Sequence, residues 1–329
     1  MRVLVTGATG FVGRHLIPVL EERGHSPTLA IRSADSERRL PRERRDSGRR
    51  TVVVGEIGPH TDWTEALVDA DAVIHLAARA HVLDDTADDE EAFHEVNARG
   101  TERLVEQSIE ADVDRFVLMS SIGAVTTDSD ACVTLDTPSR PATAYGRSKL
   151  AAENALIGQA TQSAMPWTIL RPTLVYGPGN PGNMERLVAL VKRGRPLPLG
   201  AIRNRRSFTF VENLVDLTEL VLSHPSARNA IFLVSDGEDL STPELVSKIA
   251  RHAGVRSLVI PVPSAVMRGI ARAADGWKAS IGGSVPFDTQ ILHRLESSLY
   301  VDIEPLRARL AWTPPFGVDE GLRCMLATP

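Results

Sequence analysis

The sequence predicts an α/β protein built on a doubly wound parallel sheet. Three observations predict it. A glycine-rich turn sits between a strand and a helix at the chain start, apolar runs alternate with amphipathic stretches through the first half, and the texture changes after Arg171-Pro172. The first fifteen residues carry most of the weight. Val3–Val5 reads as a short buried strand, Gly7, Gly10 and Gly13 follow at even spacing, and a helical pattern begins with Leu16, Val19 and Leu20. Each glycine has its own task. One allows the tight turn, one lets backbone N–H groups approach a pyrophosphate, and one lets helix and strand pack closely. The helix N-terminus then turns its partial positive charge towards the phosphates. This is the first half of a Rossmann-type dinucleotide-binding unit.

The remaining elements follow in order. Apolar runs recur at Thr28–Ile31, Thr51–Val54, Ala72–Ala77, Phe116–Met119 and Thr168–Leu170, mostly with amphipathic stretches between them. That alternation argues for parallel strands joined by helices. The gap between the last two runs holds a loop, Thr126 to Thr143, and a helix from Tyr145 to about Gln159. Ala230–Val234 reads as one more strand. Gly177-Pro-Gly-Asn-Pro-Gly182 and Arg195-Pro-Leu-Pro198 are loops, and Pro261 to Pro286 reads as short helices with breaks. Residues 1–172 and 206–235 are therefore expected to form the dinucleotide-binding domain, with Phe208–Val234 returning to the sheet. Residues 173–205 and 236–329 are expected to form a smaller, discontinuous substrate-binding domain.

Composition narrows the class. A chain of 329 residues suits one large or two modest domains, and it carries no internal repeat. The net charge of −5 gives no reason to expect nucleic acid or an acidic membrane surface as a partner. No apolar run reaches membrane-spanning length, and Val3–Val5 is too short for a signal peptide. Cys132 and Cys324 stand alone, which argues against a disulfide framework or zinc site and fits a reducing cytoplasm. The histidines show no metal-ligand spacing, since His94-Glu95 lacks the second histidine of a zinc helix; no metal is expected. Two charge runs read as solvated surface. Asp35 to Arg50 is rich in arginine and follows the second strand, where an adenosine ribose would lie; Asp84 to Glu91 is acidic.

The chemistry is carried by Tyr145-Gly-Arg-Ser-Lys149. Residues four apart on a helix share a face. The spacing therefore predicts an ammonium beside a phenol, which lowers the phenol pKa. A phenol tuned in that way exchanges a proton with a carbinol or carbonyl during hydride transfer. Ser121 ends a buried strand, at the sheet edge where ligands bind, and its hydroxyl can hold the reacting oxygen.

Together these residues resemble the extended short-chain dehydrogenase/reductase family. The likeness rests on Thr6-Gly-Ala-Thr-Gly-Phe-Val-Gly13, His75-Leu-Ala-Ala78, Asn97, Ser120-Ser121, Tyr145 with Lys149, and Leu170-Arg-Pro172, in order along nearly the whole chain. It implies Ser121, Tyr145 and Lys149 as catalytic residues, with Lys149 also holding the nicotinamide ribose. It implies a cofactor lying against Gly7, Thr9, Gly10, Phe11, Val12, Gly13, Arg32, Ser33, Glu56, Ile57, Leu76, Ala77, Ala78, Asn97, Tyr145, Lys149 and Pro172. Of these, Asn97 is expected to order neighbouring strands rather than to do chemistry. Within the family the chain looks like the nucleotide-sugar epimerase, dehydratase and reductase branch, through Val175-Tyr-Gly-Pro178, Asn183, Arg206-Ser-Phe-Thr-Phe-Val211, Asn213-Leu-Val-Asp216 and Leu310-Ala-Trp-Thr-Pro314. That likeness implies a substrate site of Ser121, Thr173, Asn183, Arg206 and Arg294, with Asn183 and Arg206 on the substrate diphosphate. It also implies a homodimer through the helices around Asn97–Ile109 and Tyr145–Gln159.

Two departures from the branch narrow the reaction. The dehydratases place an Asp-Glu pair after the catalytic serine or threonine, whereas Ile122-Gly123 stand here and do no acid/base work. NAD-dependent members place an Asp at the end of the second strand for the ribose 2′-OH. This chain has Ile31-Arg32-Ser33, which suits a 2′-phosphate and favours NADP(H) over NAD(H). The expected activity is NAD(P)-dependent hydride transfer at C4 of a nucleotide-linked hexose, with reduction of a 4-keto sugar nucleotide ahead of 4-epimerisation. Reduction of a non-sugar carbonyl and a nucleotide-binding protein without chemistry rank lower, because Asn183 and Arg206 oppose the first and the intact Ser121, Tyr145 and Lys149 oppose the second.

Overall fold

The computed structural model describes residues 1–37, 49–80, 87–180, 182–256, 258–281 and 289–327. Among the described residues ten strands occur in order: β1 (Arg2–Thr6), β2 (Ser26–Ile31), β3 (Arg50–Val53), β4 (Ala72–His75), β5 (Arg115–Met119), β6 (Trp167–Pro172), β7 (Leu174–Tyr176), β8 (Arg206–Phe210), β9 (Ala230–Val234) and β10 (Asp239–Leu240). The helices are α1 (Phe11–Glu22), α2 (Ala34–Glu37), α3 (Thr64–Leu67), α4 (Ala87–Phe93), α5 (Gly100–Glu110), α6 (Ala144–Ser163), α7 (Asn183–Lys192), α8 (Val211–Ser223), α9 (Thr242–His252), α10 (Ser264–Ile281), α11 (Thr289–Glu296), α12 (Glu304–Leu310) and α13 (Val318–Ala327).

Seven strands form one parallel sheet in the order β3-β2-β1-β4-β5-β6-β9. The residue alternation within each strand assigns it to two cores. Val3, Val5, Ile74, Val117 and Leu170 pack with Leu16, Ile17 and Leu20 of α1 and with the apolar face of α8. Leu4, Val73, Phe116, Leu118 and Ile169 pack with Trp63, with Leu104 and Val105 of α5, and with Ala152 and Leu156 of α6. A parallel sheet must be covered on both faces, and these strands are buried on both. The order reverses between β1 and β4. Ligands of such sheets bind outside the carboxyl ends of the strands at that switch point. The turn after β1, the segment after β4 and Ser121 after β5 all lie at that edge.

Two expectations need correction. Phe208–Val234 does not return to the sheet as a whole. Only β9 does, pairing with β6 from Thr168↔Ala230 to Pro172↔Val234. With that edge taken, β8 pairs in parallel with β7 and antiparallel with β10 to make a separate three-stranded sheet. The stretch read as short helices after Pro261 holds one 18-residue helix, α10, with Gly269 and Gly276 inside it. Met267 and Ala271, one turn apart, bury its inner stripe, and no proline interrupts it. Residues 38–48 of the basic run and 84–86 of the acidic run lie outside the described residues. No helix among the described residues is long and apolar enough to cross a membrane.

Candidate active site

The turn after β1 leaves no room for a side chain at Gly7, nor the helix that follows at Gly13. Gly7 adopts φ +68°, and a Cβ there would fall 2.7 Å from the Ala77 nitrogen. A Cβ on Gly13 would meet the Gly7 carbonyl oxygen at 2.4 Å and that of Ala8 at 2.6 Å, so α1 could not start so close to β1. Gly10 caps α1 with no side-chain acceptor, and the first turn of the helix carries no acid. The backbone donors of Phe11, Val12 and Gly13 are thus presented at a helix N-terminus with nothing acidic competing for them. A cradle emptied of Cβ atoms beside a helix N-terminus fits a dinucleotide pyrophosphate. Thr9 lies in the same turn.

A buried hydrogen-bond chain fixes the floor of that cradle. The Ala77 N–H donates to Thr6 Oγ1 (3.1 Å), Thr6 Oγ1 meets His75 Nδ1 (2.7 Å), His75 Nε2 meets Thr101 Oγ1 (3.0 Å), and the Thr101 hydroxyl donates to the Asn97 carbonyl (2.6 Å). Burial, aided by the Lys149 charge, holds the His75 pKa down to about 3. The imidazole is therefore neutral, and it accepts from Thr6 and donates to Thr101. Asn97, in a π-helical turn (His94–Arg99), accepts from the Arg79 N–H (2.8 Å) and donates to the Arg79 carbonyl (3.0 Å) and to Ser148 Oγ (2.9 Å). Its side chain orders the segment after Leu76, Ala77 and Ala78 and ties it to α6. The sequence expected it to order neighbouring strands; its hydrogen bonds reach the segment after β4 and α6.

At the other end of the cradle, Arg32 follows β2 and forms an exposed ion pair with Glu56 at 3.4 Å. Ser33 Oγ lies 3.2 Å from Ser36 Oγ. Ile57 packs at 2.6 Å from where a Cβ of Gly100 would stand, which brings α5 against the segment after β3. The structure thus gathers Arg32, Ser33, Glu56 and Ile57 at one corner.

The catalytic candidates come together at the start of α6. Thr143 caps the helix, accepting from the Gly146 N–H at 3.1 Å. Ser121 Oγ accepts from the Gly123 N–H at 3.0 Å, and the hydroxyl's proximity to Tyr145 opposes the effect of burial on that phenol. A Cβ on Gly146 would lie 2.3 Å from the Gly123 carbonyl oxygen, so this glycine is what lets the helix press against the turn that follows Ser121. Phe93 packs edge-on against the Tyr145 ring at 6.1 Å.

One electrostatic expectation is overturned. Burial raises the Tyr145 pKa, and Ser121, the sole opposing cause, does not cancel it. The Lys149 ammonium, buried at 2% exposure, donates instead to the Met119 carbonyl at 2.5 Å. Sharing a helix face therefore does not by itself lower the phenol pKa in this structure. Burial draws Lys149 itself down to about 8, with Glu153 opposing the shift.

On the substrate side the candidates divide. Arg206 Nη1 donates to the Arg294 carbonyl (3.0 Å) and to Ser297 (3.2 Å to its carbonyl, 3.1 Å to Oγ), so Arg206 and Arg294 stand together. Burial lowers the Arg206 pKa, with Asp128 opposing, and no ion pair involves Arg206 among the described residues. Arg205 is already committed, to Asp239 (2.8 Å) and over the Tyr300 ring (4.3 Å). Thr173 does not line an open site. It is 5% exposed and bonded to Thr209 Oγ1 (2.9 Å), whose hydroxyl donates to the Val234 carbonyl, where β6 and β9 part. Pro172 is buried at the end of β6. Asn183 begins α7, but its side chain lies outside the described residues. No metal-holding cluster occurs among the described residues.

Sequence reasoning missed two features. One is Gly146. The other is a buried cluster behind Lys149, in which Arg171 grips Glu153 with two hydrogen bonds (3.0 and 2.6 Å) and the Ser120 hydroxyl donates to the same carboxylate. The signal for Glu153 was available: Tyr145, Lys149 and Glu153 recur every fourth residue.

Comparison with known proteins agrees with this geometry. The model of the NAD dependent epimerase/dehydratase family matches residues 3–234. A UDP-glucose 4-epimerase of Vibrio cholerae is 37% identical over 98% of this chain and 93% of its own length. The structure of MoeE5 in complex with UDP-glucose and NAD superposes with a TM-score of 0.75 at 26% identity, covering 99% of this chain and 97% of that one. A UDP-glucuronic acid 4-epimerase of Bacillus cereus in complex with NAD shares the fold, with a TM-score of 0.78 at 20% identity over 99% of this chain and 97% of that one.

Proposed function

The chain belongs to the NAD dependent epimerase/dehydratase family, and from that premise we propose that it transfers hydride at C4 of a nucleotide-linked hexose, reducing a 4-keto-6-deoxy sugar nucleotide with NADPH. The observation that carries the reductive direction is Arg32 at the end of β2. An exposed ion pair such as Arg32–Glu56 is worth about 0–1 kcal/mol. A 2′-phosphate, which a guanidinium grips bidentately, displaces it. The turn after Ser121 argues against dehydration. Ile122 is 5% exposed, Gly123 has no side chain, and the three residues Ile122–Ala124 include no acid.

When bound, a nicotinamide cofactor would supply the hydride. The chain's residues do the rest. Ser121 Oγ, held by the Gly123 N–H, orients the C4 oxygen. The Tyr145 hydroxyl gives that oxygen its proton as the carbonyl becomes a carbinol. Lys149 places a positive charge beside the reacting groups and stabilises the phenolate left behind. Arg206, with Arg294 beside it, meets the diphosphate. We assign the protein to the cytoplasm and to a homodimer formed through α5 and α6.

A second reading has its own support: the 37% identical Vibrio cholerae relative is named a UDP-glucose 4-epimerase. The experiment separates the two. Purified protein is mixed with a UDP-4-keto-6-deoxyhexose and NADPH while the nicotinamide absorbance is followed. In parallel, UDP-glucose and UDP-N-acetylglucosamine are incubated without added cofactor. NADPH oxidation in the first tube with no isomer in the second supports the reductase. Galacto-configured product in the second tube with no NADPH consumed in the first establishes the epimerase instead.

A further inference from the structure

We infer that Glu153 is the positioning residue of this site, the buried carboxylate that keeps the Lys149 ammonium charged and joins the three segments that carry the catalytic groups. Three observations meet on it. Glu153 lies one helical turn beyond Lys149 on α6 and is 1% exposed. The Ser120 hydroxyl donates to it from the end of β5, and Ser120 is the residue before Ser121. Arg171 donates to both its oxygens from β6, and Arg171 is the residue before Pro172. One carboxylate therefore links the backbone that presents Ser121, the helix that presents Tyr145 and Lys149, and the strand end beside the proposed cofactor site.

The charges around Lys149 make Glu153 the decisive one. Tyr145 on the same helix is neutral, because burial raises its pKa. His75, from β4, is neutral, because burial and the Lys149 charge itself depress it. The Met119 carbonyl of β5 supplies a dipole and no charge. Arg171, from β6, reaches the cluster only through Glu153. The Glu153 charge, one turn along the same helix, favours the ammonium against burial. An unpaired buried ammonium gives up its proton, and a neutral amine neither holds a ribose hydroxyl by a charged bond nor stabilises a phenolate.

The catalytic consequence rests on the hydride-transfer reading, so the test begins with a measurement that does not. The chain has four lysines, Lys149, Lys192, Lys248 and Lys278. Lysine labelled with ¹³C at Cε gives four resonances, and K149R identifies that of Lys149. Its titration is followed by NMR in protein without substrate, in wild type and in E153Q. Side chains four apart on a helix are neighbours, and loss of an opposing charge within about 4–6 Å moves a pKa by about one unit or more. The Lys149 midpoint is therefore expected to fall by about one unit in E153Q. E153Q leaves Arg171 buried without its partner, so E153Q/R171Q, which removes both charges, is titrated as well. A folded variant, by circular dichroism, whose Lys149 midpoint equals that of wild type overturns the inference. Once a substrate is in hand, the alkaline limb of kcat/KM is expected to move down by the same shift. A limb that stays in place while the rate falls reduces Glu153 to a structural residue.

Discussion

The residues behind the family likeness are used differently in the two halves of the molecule. Around β1, β4 and the start of α6 they face the site. Gly7 and Gly13 clear the cradle, and Ser121, Tyr145 and Lys149 meet at one sheet edge. Around β8 and the C-terminal segment most face inward. Tyr176 is fully buried and donates to Asp236 at 2.9 Å. Asn213 donates to Asp236 and to the Phe316 carbonyl, both at 2.8 Å. Asp216 pairs with Arg23 at 2.5 Å and accepts from Trp312 Nε1 at 2.7 Å. These residues bolt α8 to α1 and to the chain's end, and they leave Arg206 and Arg294 beside each other. Motif residues can therefore gather at a candidate site in one half and serve assembly in the other. Their partners decide which.

The contrast breaks first if its chemical half is wrong. Tyr145→Phe keeps the ring and removes the proton donor, so kcat is expected to fall by roughly 10²–10⁴ with cofactor affinity unchanged. Near-normal turnover contradicts the assignment. Arg206→Ala tests a motif residue of the other half that is assigned to ligand. Removing a charge-assisted hydrogen bond worth about 1.5–3 kcal/mol is expected to raise KM for the sugar nucleotide about ten- to hundredfold. Cofactor binding measured alongside should not change; if it collapses, Arg206 is assembling the fold. Arg32→Ala is expected to weaken NADPH binding about tenfold more than NADH binding, the lower end of that range because the site is exposed. Equal losses would leave Arg32 an ordinary surface residue.

The smallest effect sharpens the comparison through pH. His75, in the cofactor half, is depressed to about 3 by burial and the Lys149 charge. The unfolded chain then binds the proton that the fold refuses, so this group's contribution is complete above about pH 6.5 and is lost as the pH falls towards 3. Asp236, in the other half, is raised to about 6, by burial first, against its hydrogen bonds from Phe210, Asn213 and Tyr176. There the fold holds the proton more tightly, so stability is gained as pH falls from about 6 to 4. At 1.36 kcal/mol per unit, going from pH 7 to 5 costs about 2 kcal/mol at His75 and returns about 1 at Asp236. Denaturant unfolding should show a small net loss in wild type and nearly the full His75 loss in Asp236→Asn. Identical pH dependence in the two proteins would remove Asp236 from the account.

What was legible in the sequence follows from the range of the interactions. Strands and the glycine turn are local patterns, and all seven strands of the main sheet lie on apolar runs read in advance. Tyr145 and Lys149 share a helix face, which spacing reveals. The direction of the Tyr145 shift was not legible, because it depends on burial by distant segments and on Lys149 finding the Met119 carbonyl, 30 residues away in sequence. The small sheet was missed because β7 and β10 have three and two residues, too few to carry a pattern. Thr173 was expected in the substrate site; its hydroxyl is instead bonded to that of Thr209, which donates to the Val234 carbonyl, a chain of contacts between residues far apart in sequence.

The central claim is hydride delivery to C4, with Tyr145 giving the proton. The most direct test is isotopic. The enzyme is incubated with a UDP-4-keto-6-deoxyhexose and NADPH carrying deuterium at the transferable position, and the sugar product is examined by NMR. The account predicts one deuterium, bonded to C4, and almost none in the same time with Tyr145→Phe. Deuterium at another carbon, or a reduced sugar containing none, would contradict it.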